Sequence, residues 1–287
     1  MLSTNRSRFI TEQAVIKTLT NATELPAKMK PRLCATLQLP EDSIIDNLSV
    51  VLTKGVGGTQ CRPYVVTLQG GEKVFLKLSN IVKNSLREQK IADTNIQNVL
   101  GADAHPFVCM FPSSGALGVE KETRNELLFF PYVPGDNLFI TLQYRNNEKQ
   151  TAILQFTEIG QCLAKMHIEC MKLLNTYDQF TNNKGLLTKV LVHDDWQATN
   201  IMITPENKAI IIDTEGTMLS DKPYRNIAES WELSSQDPEL FNALIDGYIN
   251  EYSPDLREGV RHNLMKVLSD EYHIELSQLK NTITPTR

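Results

Sequence analysis

Two apolar runs, Ile201-Met202-Ile203 and Ala209-Ile210-Ile211-Ile212, are separated only by Thr204-Pro205-Glu206-Asn207 and Lys208. Strand-forming residues on either side of a Pro/Asn turn leave little choice but a β-hairpin. Val190-Leu191-Val192 leads in as a further short strand, and His193 to Asn200 must then be a loop. The hairpin fixes geometry as well as topology. It brings the residue before its first strand, Asn200, beside the residue after its second, Asp213.

The polar residues around this hairpin have a recognisable chemistry. His193-x-Asp195 is followed by Asn200 and, beyond the second strand, by Asp213. Asp195 can accept a proton from an acceptor hydroxyl. Asn200 and Asp213 offer hard oxygen ligands suited to Mg²⁺ on the phosphates of ATP. A lone Asp in such a place is a turn former; the combined spacing is what points to phosphoryl transfer.

Upstream residues can be tested against the same chemistry. Leu48–Leu52, Tyr64–Leu68 and Lys73–Leu78 read as strands. Gly55, Gly57, Gly58 and Thr59 form a tight turn whose backbone N–H groups could lie over phosphates. Lys77 sits near the end of the third strand, where an ammonium could meet the α/β-phosphates. Ile81 to Leu100 reads as a helix with Leu86, Ile91 and Leu100 as apolar positions. On it Glu88 is the natural ion-pair partner for Lys77, with Asp93 in reserve. The bland alternatives are an edge-strand Lys and a solvated helix face. Pro106–Phe111 and Asn125–Phe130 read as strands, the latter running through Phe130 into Pro131-Tyr132-Val133-Pro134-Gly135. That segment suits a hinge, with Tyr132 or Val133 offering the N–H that Pro131 lacks to an adenine edge.

Thr151–Leu174 reads as a long amphipathic helix, with Ile153, Phe156, Ile159, Leu163, Met166 and Cys170 at helical spacing. This stripe is core, and His167 on it reads as structural. Residues 217–287 read as mostly helical, and 1–45 as a helical extension broken by Pro26, Pro31 and Pro40. The division expected is 1–45 as extension, 46–133 as a nucleotide-binding lobe and 134–287 as a catalytic and acceptor-binding lobe.

Composition narrows the setting. The 287 residues are 41% hydrophobic and 22% charged, as in ordinary globular proteins. No run of about 18 apolar residues suggests a membrane span, and no apolar signal core follows the N-terminus. The five Cys, at 34, 61, 109, 162 and 170, are scattered and odd in number. They read as free thiols in a reducing, cytoplasmic setting. His262 and His273 lack partners at zinc spacing. From residue 190 onward there are 17 Asp/Glu against 8 Lys/Arg. Most of these are a solvated surface, though an acidic half also suits a cationic acceptor. No basic cluster interleaved with aromatics suggests nucleic acid. Oligomeric state is not legible.

These residues carry a resemblance. The chain resembles the aminoglycoside phosphotransferase and choline kinase group of the protein-kinase-like superfamily, over roughly residues 47–255. His193-x-Asp195-x4-Asn200 is similar to its catalytic loop, and Ile212-Asp213-Thr214-Glu215 to its metal-binding segment. Leu163–His167, Tyr132–Gly135 and Asp246-Gly247-Tyr248 are similar to further elements of the group. The resemblance implies an α+β, two-lobed kinase-like fold with a small antiparallel sheet lobe and a larger, mainly helical lobe. It implies ATP and Mg²⁺, with Lys77 on the phosphates, Glu88 paired to it, Asp195 as base, Asn200 and Asp213 as ligands, and His193 bracing the loop. The chain departs from the pattern in four places. Asp194 stands where Gly or Arg is usual, and Trp196 adds bulk beside the base; both are expected to shape the acceptor side. Thr214 replaces an aromatic, and Asn226 replaces an acidic residue. The function expected is transfer of the γ-phosphate to a hydroxyl of a small acceptor. The alternatives are a divergent, effector-like protein kinase and a non-catalytic nucleotide-binding pseudokinase.

Overall fold

The computed structural model describes residues 53–54, 61–67, 73–80, 85–100, 107–108, 125–144, 149–214 and 216–275. The chain divides into two compact units, residues 1–90 with 109–133 and residues 91–108 with 134–287. The 1–45 extension and Gly55–Thr59 lie outside the described residues.

Strands rich in apolar and aromatic residues build the sheet of the first unit. β1 (Thr53–Lys54), β2 (Cys61–Thr67), β3 (Lys73–Asn80) and β4 (Asn125–Pro131) pair in that order, each neighbour antiparallel. The register sets Lys77 opposite Pro63 on one side and Leu128 on the other. Phe130 is buried and meets Phe75 edge to face, with ring centroids 6.2 Å apart. After β3 comes α1 (Ser85–Leu100), within the helix expected from Ile81 to Leu100; residues 81–84 lie outside the described residues. The unit boundary falls within α1. In its second half Ala92, Ile96 and Val99 are buried, while the side chains of Leu86 and Ile91 lie outside the described residues.

The second unit is mainly helical. β5 (Asp136–Asn137) leads into α2 (Leu138–Tyr144), then α3 (Lys149–Leu173) and α4 (Tyr177–Asn182). β6 (Val190–Val192) pairs antiparallel with β9 (Met218–Ser220). Between them β7 (Ile201–Ile203) and β8 (Ala209–Ile211) form the expected hairpin, with Ile201 opposite Ile211 and β5 added on the outer side of β7. The Thr204 N–H to Lys208 C=O bond (2.9 Å) closes the turn. Gly135, at φ 116°, lets the chain pass so close to Ile203 that a Cβ would sit 2.0 Å from its carbonyl oxygen. Residues 106–111 were expected to form a strand. Of these, Phe107 and Val108 are described, and Phe107 makes an isolated parallel bridge to Ile211, outside the first unit's sheet. The pairing is tertiary, so no local pattern announces it.

α5 (Arg225–Leu233), α6 (Pro238–Asn250) and α7 (Pro254–Asp270) complete the unit. Asp237 caps α6, accepting from Glu239 N at 2.8 Å, and Pro238 occupies its first turn. The core sits where α3 meets α6. Phe156, Ile159, Leu163 and Met166 of α3 are at most 1% exposed, as are Phe241, Leu244 and Tyr248 of α6. Two glycines set the spacing. A Cβ on Gly160 would lie 1.9 Å from the Leu244 carbonyl oxygen, and one on Gly247 would lie 2.2 Å from that of Thr157. The helices therefore touch backbone to backbone. His167 is fully buried in this core. Tyr252 O–H donates to the Tyr248 oxygen at 2.8 Å, and the Tyr248 O–H is 2.9 Å from His167 Nδ1. Burial pulls the imidazole down to about 3, so the ring is neutral and accepts the Tyr248 proton at Nδ1. Cys162 and Cys170 are buried free thiols of α3, as read from the sequence. Among the described residues no helix is long and apolar enough to cross a membrane.

The α+β, two-unit architecture expected from the sequence is therefore the one observed. One unit carries a small antiparallel sheet and the other is larger and mainly helical.

Candidate active site

The loop between β6 and β7 is short and polar, and each end is anchored in a strand. Its last three residues, Ala198–Asn200, form one turn of 3₁₀ helix. That turn brings the side chain of Asn200 back toward the start of the loop. Asn200 Nδ2 donates to Asp195 Oδ2 and to the Asp195 backbone oxygen, both at 2.9 Å. Gln197 Nε2 donates to the same Oδ2 at 2.6 Å. Asp195 is exposed and Asn200 buried. The carboxylate is thus presented at the surface by an amide locked beneath it.

The hairpin does what its spacing required. Ile212 N–H donates to the Asn200 backbone oxygen at 2.9 Å, which holds the start of β7 against the residue preceding Asp213. Both Asn200 Nδ2 bonds go to Asp195, so its Oδ1 is the oxygen it can offer a cation. Asn200 Oδ1 and the Asp213 carboxylate are the hard oxygens here that could hold a divalent cation such as Mg²⁺. Among the described residues no group of three or more His, Cys, Asp and Glu gathers into an all-protein metal site. Asp213 itself is in the left-handed region at φ 60°, where non-glycine residues are uncommon.

His193 is fully buried, and its Nε2 donates to the Ile212 carbonyl oxygen at 3.1 Å. A carbonyl only accepts, so the proton lies on Nε2. Burial holds the imidazole below its ordinary pKa, so the ring is neutral. The ring joins the loop to the chain just before Asp213.

Helix α5 supplies partners that local reading could not assign. Asn226, wholly buried, accepts from His193 N–H through Oδ1 and donates to His193 C=O through Nδ2, each at 2.8 Å. Its amide therefore satisfies both backbone groups of one residue, which a carboxylate in its place could not do. Trp196 is 7% exposed, meets the His193 ring at 6.2 Å, and donates Nε1–H to Ser230 Oγ at 2.9 Å. Its bulk is core, which corrects the expectation that it shapes the acceptor side. Asp194 is exposed and takes Arg225 on Oδ1 at 2.6 Å, while Arg225 Nε bonds Glu229 at 2.8 Å. The two carboxylates hold the guanidinium above its usual range, Glu229 first. Residues 193 to 196 are thus gripped on both sides of Asp195 by a single helix.

Of the other residues singled out, Lys77 lies in β3 and Glu88 in α1. Tyr132 and Val133 are half-buried after β4. Lys73 Nζ stands 5.3 Å from the Tyr132 ring centroid, a cation–π contact within the first unit. Asp93, the reserve partner for Lys77, accepts a hydrogen bond from the Thr214 hydroxyl.

No protein-family model and no curated protein matches the chain. Solved structures similar to it include a macrolide 2′-phosphotransferase type I, 13% identical over 94% of this chain and 95% of that one, TM-score 0.48. Another is the amicoumacin kinase hAmiN in complex with AMP-PNP, Ca²⁺ and Ami, 13% identical, covering 79% and 84%, TM-score 0.47. A third is the pseudokinase DRIK1, drought responsive inactive kinase 1, 17% identical, covering 78% and 86%, TM-score 0.40.

Proposed function

We propose that this chain is an ATP- and Mg²⁺-dependent phosphotransferase acting on a hydroxyl of a small acceptor, with a cationic acceptor suited to its acidic C-terminal half. The observation that carries the reading is the pairing of an exposed Asp195 carboxylate with a buried Asn200, one hydrogen-bonded strand end from Asp213.

Asn200 and Gln197 both bond Asp195 Oδ2. That leaves Oδ1 to accept the proton of an incoming hydroxyl as its oxygen attacks phosphorus. Holding the carboxylate in one orientation removes rotational freedom before the reaction, where most of the catalytic gain in such enzymes arises. Asn200 Oδ1 and the Asp213 carboxylate would hold Mg²⁺. When bound, the ion supplies positive charge against the phosphate oxygens. His193 remains neutral and buried, and it positions the loop without taking the proton. Lys77 and the turn residues Gly55, Gly57, Gly58 and Thr59 are proposed for the phosphates, with Glu88 paired to Lys77, and Phe130, Tyr132 and Val133 for the adenine.

Asp195→Asn keeps the shape and the hydrogen-bonding reach of the side chain but removes the base. Turnover of ATP with a productive acceptor should fall by about 10²-fold or more, with ATP affinity within about threefold of wild type. Retained turnover would remove Asp195 from the base role. If no acceptor in a broad panel of hydroxylated metabolites, antibiotics and proteins stimulates ATP consumption, the chain binds nucleotide without catalysis.

A further inference from the structure

Thr214 follows Asp213 directly and is wholly buried, and Asp93 on α1 is 4% exposed. The Thr214 hydroxyl donates to Asp93 Oδ1 across 121 residues of sequence. Several observations make this more than ordinary core satisfaction. A buried carboxylate is costly unless hydrogen-bonded, so Asp93 has reason to hold this donor. Threonine is stiff about χ1, so fixing its hydroxyl also fixes its backbone. The Thr214 carbonyl accepts from Thr217 N–H at 3.1 Å, and Ile212 N–H is bound to Asn200. Between these anchors stands Asp213 in its left-handed conformation, which persists only where its neighbours over-determine it.

We propose that Asp93 is a positioning residue for the metal site, acting through Thr214 to hold the Asp213 carboxylate where it meets Mg²⁺. The inference rests on the reading of Asp213 as a metal ligand. The aromatic expected after Asp213 could anchor the segment only by packing. The hydroxyl–carboxylate pair anchors it directionally and makes α1 part of the metal site's support.

The test measures ATP binding to the full chain by calorimetry at stepped Mg²⁺ concentrations, with folding followed by circular dichroism. Thr214→Val keeps the shape and loses the hydroxyl. It should raise the Mg²⁺ needed for half-maximal ATP binding by about tenfold or more, the range seen when the partner of a metal ligand is removed. ATP affinity without Mg²⁺ should not change. Thr214→Ser, which keeps the hydroxyl, should stay within about twofold of wild type. Adding Asp93→Ala to Thr214→Val should shift the requirement by less than the sum of the two single variants, because the two share one bond. If Thr214→Val does not fold, Thr214→Ala carries the same comparison. An unchanged Mg²⁺ requirement in the hydroxyl-free variant, beside a Mg²⁺-dependent wild type, overturns this inference alone. A wild type whose ATP binding ignores Mg²⁺ overturns the metal-site reading and this inference together.

Discussion

The crossing of α3 and α6 and the loop at residues 193–196 solve the same problem by opposite means. Both must hold two distant pieces of chain in close register. At the crossing the means is removal of side chain. Gly160 and Gly247 bring backbone onto backbone, and the surrounding apolar residues fill what is left. At the loop the means is directed hydrogen bonding. Asn226, Ser230 and Arg225 reach out from α5 and bond His193, Trp196 and Asp194. The first arrangement tolerates no added volume. The second tolerates small changes of volume and no change in the donor and acceptor pattern.

Three substitutions press on that difference. The largest effect is expected at Asn226. Asn226→Ala leaves His193 N–H and C=O buried without partners, at about 2 kcal/mol for each orphaned group. Denaturant melts should show a loss near 4 kcal/mol, with turnover reduced alongside it. A loss below 1 kcal/mol would mean the loop is held by packing after all.

Gly160→Ala comes next, and here two rules disagree in sign. Helix propensity alone favours alanine by about 1 kcal/mol. The methyl would meet the Leu244 carbonyl oxygen at 1.9 Å, and forced separation of packed backbones costs about 3 kcal/mol. Sterics should win, giving a net loss of about 2 kcal/mol with the loop's chemistry intact. A stabilised variant would show that the helices can part without cost.

The last effect is conditional on pH and absent at neutrality. His167 is held near 3 in the folded chain, against an ordinary value of 6.5. The unfolded chain therefore binds more protons between those values, and stability falls as pH drops below about 6.5. At pH 5 this amounts to about 2 kcal/mol relative to pH 7.5. His193 contributes in the same direction. Asn at position 167 can accept the Tyr248 proton without titrating. His167→Asn should therefore flatten the acid-side decline measured by denaturant midpoints from pH 7.5 to 5. An unaltered slope would place the acid sensitivity elsewhere.

Local signals in the sequence reached the hairpin, the long α3 stripe, the free thiols and the structural His167, because each depends on periodicity, turn residues or spacing within one segment. The relation of Asn200 to Asp213 was legible for the same reason, since a hairpin of known length carries it. The unread features all join distant segments. Asn226 lies 33 residues from His193, and Asp93 lies 121 residues from Thr214. Trp196 looked like bulk beside the base, because nothing local says that its indole N–H will find Ser230. Gly247 was noticed as part of a motif, yet its contact with Thr157 needs both helices in place. The departures at Thr214 and Asn226, read singly as irregularities, turn out to be residues with buried partners.

The hairpin between Asn200 and Asp213 also separates what must be constant from what is free to vary. Its ladder and the Ile212 to Asn200 bond fix the near end, and β5 fixes one edge. The tip at Pro205 and Glu206 is exposed and touches neither. Extra residues there add loop-closure entropy that grows only logarithmically with length, about 0.6 kcal/mol per doubling. The tip is thus a natural point of attachment, where a tag or sensor domain can be spliced into the chain while the spacing of Asn200 and Asp213 stays as it was.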